Sequence, residues 1–282
     1  MSLAAHLYHQ SYTVGDLCLT QLLDGAVEHR PAHAFFGVNA GAAEFNALSK
    51  QEGVSTDAFS FPATASLIDG DGERILVDAG HGPKGAPRAG RLPIALEQAG
   101  IAPESVSHVL ITHLHRDHIG GLLDANGNPV FTQARHWVSP LETAYWRGPA
   151  SGTPTAAAVK VLTAALGQKL SYITPGDELV RGVHIVDSAG HTPGHFCVML
   201  NSAGEQLLIA SDLVNHPVWS MLRPRWSMSL DVDAIIAAAT RIRLLGKLAD
   251  EAIPLAGYHM PFPAIGRVVR EDEGFRYLPG WP

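Results

Sequence analysis

The hydrophobic pattern changes period several times along the chain. From Ala65 to Gly80 it reads as a strand, a turn at Asp69-Gly70-Asp71-Gly72, a second strand from Arg74 to Val77 and a loop opened by Asp78. His195 to Asp212 repeats the scheme: the strand FCVML, a turn from Asn201 to Gly204, the strand QLLIA and a loop opened by Asp212. Val106 to Thr112 (VSHVLIT) is a near-continuous apolar run with β-branched residues, the pattern of a buried strand, and Glu251 to Gly257 is a shorter one. Elsewhere the spacing is helical. Leu92, Ala95, Leu96 and Ala99 form one apolar face ending at Gly100, and a second helix is expected within Pro154 to Lys169. Ile235, Ile236, Ala239, Ile242 and Leu245 mark a longer helix, with Asp231 as its expected cap. Two similar strand-turn-strand halves, with helices between and after them, predict an α/β sandwich of two sheets with outer helices.

The Pro/Gly/Ala stretches at 79–93 and 148–156 read as loops, and no low-complexity linker interrupts the chain, so residues 1–282 are assigned to a single domain. Charged residues make up 17% and hydrophobic ones 46%, which places the chain among globular proteins. A net charge of -7 without a long Lys/Arg run gives no electrostatic footprint for nucleic acid or an anionic membrane. The N-terminal stretch lacks a basic segment followed by a sustained apolar one, and nowhere do eighteen apolar residues run together, so a cytoplasmic location is expected. Cys18 and Cys197 lie in apolar segments without a Cys-x-x-Cys partner and read as buried free thiols.

Fifteen histidines mean little until their spacing is considered. Directly after VLIT comes Thr112-His113-Leu114-His115-Arg116-Asp117-His118-Ile119-Gly120-Gly121, with four potential metal ligands within six positions at a strand end. His113 and His115, two apart in extended backbone, face the same side, while the turn beyond them aims Asp117 and His118 at a second position. A single histidine is usually a hydrogen-bonded structural residue; four ligands at this spacing are not. An all-His/Asp set without thiolate suits a catalytic zinc site, and manganese, cobalt or iron are compatible with the same ligands.

The His-x-His-x-Asp-His string resembles the signature of the metallo-β-lactamase superfamily, and further pieces follow in the family's order: His191 in AGHTPGH, Asp212 in IASD and His259 in AGYHMPFP. The resemblance implies an αββα four-layer sandwich and two divalent metal ions. His113, His115 and His191 would hold one ion, Asp117, His118 and His259 the other, and Asp212 would bridge them around an attacking hydroxide. Asp78 resembles the aspartate that braces the histidine loop, whereas His195, the second histidine of HTPGH, reads as a structural hydrogen-bonding residue. His81, His136 and His184 read as ordinary, and His6, His9, His29, His33 and His108 carry no signal.

The C-terminal part is most similar to the branch containing methyl parathion hydrolase and the acyl-homoserine lactonases. That similarity implies a hydrolase acting on lactones, aryl esters or phosphotriesters, and by family analogy a homodimer. Where that branch carries a tyrosine or histidine three residues after the bridging aspartate, this chain has Asn215, followed by His216. Asn215 donates a hydrogen bond but is no acid, which leaves His216 as the alternative catalytic side chain. Phe35, Phe36, Tyr145, Trp146, Trp219, Trp226 and Phe262 fall in segments expected to overhang the site as loops, and predict a dry pocket for a neutral substrate. Alternatives kept open are a glutathione-conjugate enzyme of the same fold (hydroxyacylglutathione hydrolase or iron sulfur dioxygenase), for which Arg267 and Arg270 would supply a basic pocket, and a non-catalytic metal-binding module.

Overall fold

The computed structural model describes residues 7–281; His6 lies outside them. Its strands fall into two seven-stranded sheets in chain order. The first contains β1 (His9–Val14), β2 (Leu17–His29), β3 (Phe59–Gly70), β4 (Glu73–Val77), β5 (His108–Ile111), β6 (Arg135–Val138) and β7 (Leu170–Tyr172). The second contains β8 (Glu178–Val180), β9 (Val183–Asp187), β10 (Phe196–Ser202), β11 (Glu205–Ser211), β12 (Leu255–Gly257), β13 (Ile265–Glu271) and β14 (Gly274–Pro279). The helices are α1 (Ala42–Gln51), α2 (Leu92–Gln98), α3 (Arg116–Ile119), α4 (Pro140–Arg147), α5 (Pro154–Leu166), α6 (Trp219–Leu222) and α7 (Ala234–Asp250).

Period-two alternation assigns each strand two jobs. In β10, Val198 and Leu200 join Ile75, Val77, Leu110 and Ile185 in the apolar layer between the sheets. Cys197 and Met199 of the same strand point the other way, onto Leu244, Leu245 and Leu248 of α7. In β5, Leu110 faces inward, while Val109 and Ile111 pack with α2 (Leu92, Ala95, Leu96) and α5 (Val159, Leu162, Leu166). The layers therefore run helix, sheet, sheet, helix, the αββα sandwich. A further aromatic cluster joins Phe36, Phe45, Phe59, Phe61, Trp219 and Trp226. No described helix is long and apolar enough to cross a membrane.

Three expectations change. The core-facing side of α7 is Ala237, Thr240, Arg241, Leu244, Leu245 and Leu248, spaced by three and four, while Ile235 is 83% and Ile236 49% exposed. Asp233 caps this helix, its Oδ1 accepting from the Ile235 and Ile236 N–H groups. Asp231 is left for another role described below. The segment from Pro140, read as a loop, is α4, with Pro140 at a helix N-terminal position that needs no N–H and Ser139 Oγ accepting from Leu141 N.

The parallel pairs set the position of the site. β4 runs parallel to β5, and β11 to β12. Their C-terminal ends release Asp78, Thr112-His113, Ser211-Asp212 and, just beyond Gly257, His259 at one edge of the sandwich.

Candidate metal centre

Two groups of ligand atoms converge at this edge. His113, His115, His191 and Asp212 form one, and Asp117, His118 and His259 the other, with ligand atoms within 4.8 Å of one another in each. Asp212 joins them. Its Oδ2 lies 3.1 Å from His191 Nε2 and 3.9 Å from His113 Nε2, while Oδ1 lies 3.1 Å from His118 Nε2 and 3.2 Å from His259 Nε2. His115 presents Nδ1, at 2.9 Å from His113 Nε2 and 3.0 Å from His191 Nε2. Asp117 Oδ2 stands 3.6 Å from His259 Nε2 and 3.8 Å from His118 Nε2.

Local backbone explains the convergence. His115 is extended (φ −68°, ψ 151°), so it shares a side with His113, and the one-turn helix α3 then turns Asp117 and His118 toward the second position. Gly120 and Gly121 follow because there is no room for a side chain: a Cβ on either would stand 2.0 Å from a carbonyl oxygen, of His81 and Ala79 respectively. Asp78 and Ser211, at the ends of β4 and β11, both adopt left-handed backbone (φ 60° and 47°), local strain concentrated beside the site. Asp78 accepts hydrogen bonds from Thr112 N (2.9 Å) and Thr112 Oγ1 (2.8 Å), and Thr112 Oγ1 contacts Ser211 Oγ at 2.7 Å, tying the two sheets.

Most imidazoles are aimed by a partner on the nitrogen away from the centre. His118 Nδ1 meets Asp78 Oδ2 at 2.8 Å, His191 Nδ1 meets Asp231 Oδ1 at 3.1 Å, and His259 Nδ1 donates to Pro62 O at 2.6 Å. Phe61 stacks on His259 (centroids 3.6 Å) and Tyr258 on His118 (3.9 Å), and the Tyr258 hydroxyl donates to Asp117 O at 2.5 Å. His195 takes no ligand position. Its Nε2 accepts from Asp212 N at 3.1 Å and its Nδ1 contacts Ser188, so it steers the backbone of Asp212.

The inward atoms are the unsatisfied ones. His118 Nε2, His259 Nε2 and Asp212 Oδ1 are buried without a hydrogen-bond partner. Converging nitrogen and oxygen donors left unpaired in this way fit divalent cations, and the His/Asp set is one that zinc accepts. The electrostatics agree. Burial opposes ionisation of Asp212, yet His259, His118 and His191 hold its carboxyl well below the usual range. Burial likewise opposes protonation of His118 and His191, but Asp212, aided by Asp78 at one ring and Asp231 at the other, raises both, His191 to about 9. Burial lowers His113 well below its usual value and His115 to about 3.

The remaining sequence candidates are placed as follows. Asn215, three residues after Asp212, is buried, and neither its Nδ2 nor its Oδ1 has a partner. His216 stacks on Trp219 (3.9 Å), its Nδ1 accepts from Val218 N and Trp219 N, and burial lowers it to about 3. Phe36, Trp219 and Trp226 belong to the aromatic core, Trp146 is buried against His115, and Phe35, Tyr145 and Phe262 are half-buried. Arg270 is held on the surface by Asp250 (2.7 Å), and Arg267 is exposed on the same strand, β13. Sequence reading missed Asp231, whose signal was masked by its plausibility as a helix cap. It also missed Glu142, which carries no local motif.

The chain belongs to the metallo-beta-lactamase superfamily, whose family model matches residues 60–257. Among curated relatives, it is 27% identical over 121 residues to an N-acyl homoserine lactonase of Bacillus cereus, covering 42% of each chain. It is 34% identical over 94 residues to the anti-Pycsar protein Apyc1 of Saccharibacillus brassicae, covering 32% of this chain and 35% of that one. The chain thus spans well under half the length of these relatives. Solved structures match over nearly all of it: AidC, a dizinc quorum-quenching lactonase in complex with a product, has a TM-score of 0.90 at 25% identity, and the hydrolase AbOPH 0.86 at 27%, each over 97% of both chains.

Proposed function

We propose that the chain is a dinuclear hydrolase, with zinc as the metal, that cleaves a neutral ester-like substrate: a lactone or aryl ester before a phosphotriester. One observation carries the dinuclear reading: the two oxygens of Asp212 divide between two histidine sets, one oxygen to each. The likeness to AidC, a lactonase, supports the reaction class. Two divalent cations bound there would supply Lewis acidity and a water acidified toward neutrality.

The chain's own residues do the rest. His113, His115 and His191 would hold one ion, and Asp117, His118 and His259 the other. Asp212 supplies the shared anion, and with Asp117 leaves two dications short of neutralised, so negative charge developing on the substrate oxygen is stabilised where it forms. Asn215, with an unpartnered amide, is the side chain suited to donate a hydrogen bond to that oxygen. His216 is not suited to be an acid: it is neutral at physiological pH and its Nδ1 already accepts from two backbone amides.

A cavity of about 270 Å³ beside His259, lined by Val54, Phe59, Pro62, Pro217 and Trp219 with no Lys, Arg, Asp or Glu, favours an uncharged substrate. A second cavity, of about 230 Å³, has Lys84 and Arg116 in its wall against one acidic residue, Asp124, and this basic excess supports an anionic substrate such as a glutathione conjugate as the second reading. Zinc- and manganese-loaded protein assayed on lactones, aryl esters, phosphotriesters and S-lactoylglutathione separates them. Hydrolysis of the neutral esters is expected; efficient turnover of S-lactoylglutathione with negligible activity on every neutral ester would refute the first reading.

A further inference from the structure

Glu142 is a fully buried carboxylate, 0% exposed, with no Lys, Arg or His ion pair among the described residues. Burying such a charge is costly unless it is well hydrogen-bonded, and three N–H groups satisfy this one. Oε2 accepts from Leu114 N at 3.1 Å and from Trp146 Nε1 at 3.0 Å; Oε1 accepts from Gly194 N at 2.9 Å. Leu114 is the residue between His113 and His115. Gly194 lies three residues beyond His191, in the loop that carries it. One carboxylate therefore clasps two loops about eighty positions apart, the two that contribute all three histidines of one ligand group.

Neighbouring contacts belong to the same device. Trp146, one turn after Glu142 on α4, sets its ring edge-on to His115 with centroids 5.5 Å apart. A Cβ on Gly194 would stand 2.6 Å from Ser139 Oγ and 2.7 Å from Glu142 N, so the His191 loop lies directly on the first turn of α4. The other ligand group has its own braces, Asp78 on His118, Pro62 O on His259 and Tyr258 on Asp117, and Asp78 reaches His113 only through Thr112.

We infer that Glu142 is a positioning residue that sets His113, His115 and His191 in register, making α4 the template for one of the two metal sites. The inference rests on the dinuclear reading. Glutamine has the same shape but only one acceptor oxygen, so in Glu142→Gln an amide N–H must face either Gly194 N–H or the Leu114 and Trp146 donors. Loss of such outer support weakens a metal site by about 10–100-fold.

The test is a two-step zinc titration of the full chain against a competing chelator, repeated with cobalt to read the visible ligand-field spectrum. Wild-type protein is expected to take up two equivalents. E142Q should bind one of them about 10–100-fold more weakly, with an altered cobalt spectrum, and the other nearly as before. In a His259→Ala background, where the remaining ion depends on His113, His115 and His191, E142Q should weaken that remaining ion. Gly194→Ala, which keeps the carboxylate but pushes its Gly194 N–H partner off α4, should reproduce the selective loss and decides the matter if E142Q does not fold. Two equivalents held by both folded variants as tightly as by wild type, or weakened equally at both sites, would overturn the inference. A wild-type protein that binds only one equivalent would instead overturn the dinuclear reading beneath it.

Discussion

Asp231 and Asp233 stand two residues apart and do different work, and separating them tests the account of the site. The Asp231 side chain is fully buried, and its oxygens meet His191 Nδ1 at 3.1 Å, Met228 N at 3.1 Å and Arg241 Nη2 at 3.4 Å. Although burial works against ionisation, His191 and then Arg241 hold its carboxyl below the usual range. In Asp231→Asn the size is kept and the charge lost. Removing one partner of a buried ion pair costs about 3–5 kcal/mol in general, and about 2–3 kcal/mol is expected here, because Arg241 keeps three carbonyl acceptors. Those acceptors are Leu213 O, Pro224 O and Trp226 O. At roughly 2–4 °C per kcal/mol for a chain of this size, the metal-free protein should melt about 4–12 °C lower. Loss of the carboxylate behind His191 should also weaken metal binding about 10–100-fold. Asp233→Ala removes only the cap on the Ile235 and Ile236 amides, worth about 1 kcal/mol, and should leave metal affinity alone. The assay pairs thermal unfolding of the metal-free variants with zinc titration. If D231N binds zinc as tightly as wild type, or Asp233→Ala loses zinc equally, the assignment of Asp231 as the brace of His191 fails.

Four further outcomes follow from the same geometry. Asp212→Ala should leave the fold largely intact while lowering retention of the second metal; elemental analysis showing two metals per chain with unchanged turnover would contradict the bridge. His216→Ala should lower stability by roughly 1–2 kcal/mol, through loss of the acceptor for the Val218 and Trp219 amides and of the Trp219 stack, and leave the shape of the pH–rate profile unchanged. A bell-shaped profile that disappears in that variant would make His216 the acid after all. In metal-free protein Asp212 and Asp231 raise His191 to about 9, and Asp212 and Asp78 raise His118, so a metal ion binding at His191 displaces a proton at pH 7. Calorimetry in buffers of different ionisation enthalpy should register that release. The raised His191 stabilises the metal-free fold fully below the unfolded value of 6.5, and that contribution is lost as pH rises through about 9. A metal-free stability that does not decline between those values would count against it.

Much of the centre was legible in the chain. A strand that ends in a string of histidines and an aspartate declares its chemistry locally, because two-residue spacing on extended backbone already puts His113 and His115 on one side. His191, Asp212 and His259 were found through their place in an ordered pattern, and Asp212 and His259 also by standing just after apolar strands. Strand and helix periods pointed to a sandwich of two sheets with outer helices, and the family resemblance to its αββα form. The edges of the fold were not legible in this way: β1 and the β13–β14 hairpin mix exposed and buried positions without a clean alternation. Helix α7 misled because its first turn exposes two isoleucines, so apolar identity and core-facing position part company there.

The sequence by itself determined which residues could bind metal and the order in which strands deliver them, because ligand chemistry and backbone period are local properties. Tertiary structure alone decided how those residues are held: that Asp212 turns one oxygen to each histidine set, that Asp231 braces His191 while Asp233 caps the helix, and that Glu142 clasps two loops far apart in the chain. These are contacts between segments brought together only when the sheets pack. A buried carboxylate between two peptide N–H groups leaves no periodic trace in the amino-acid order.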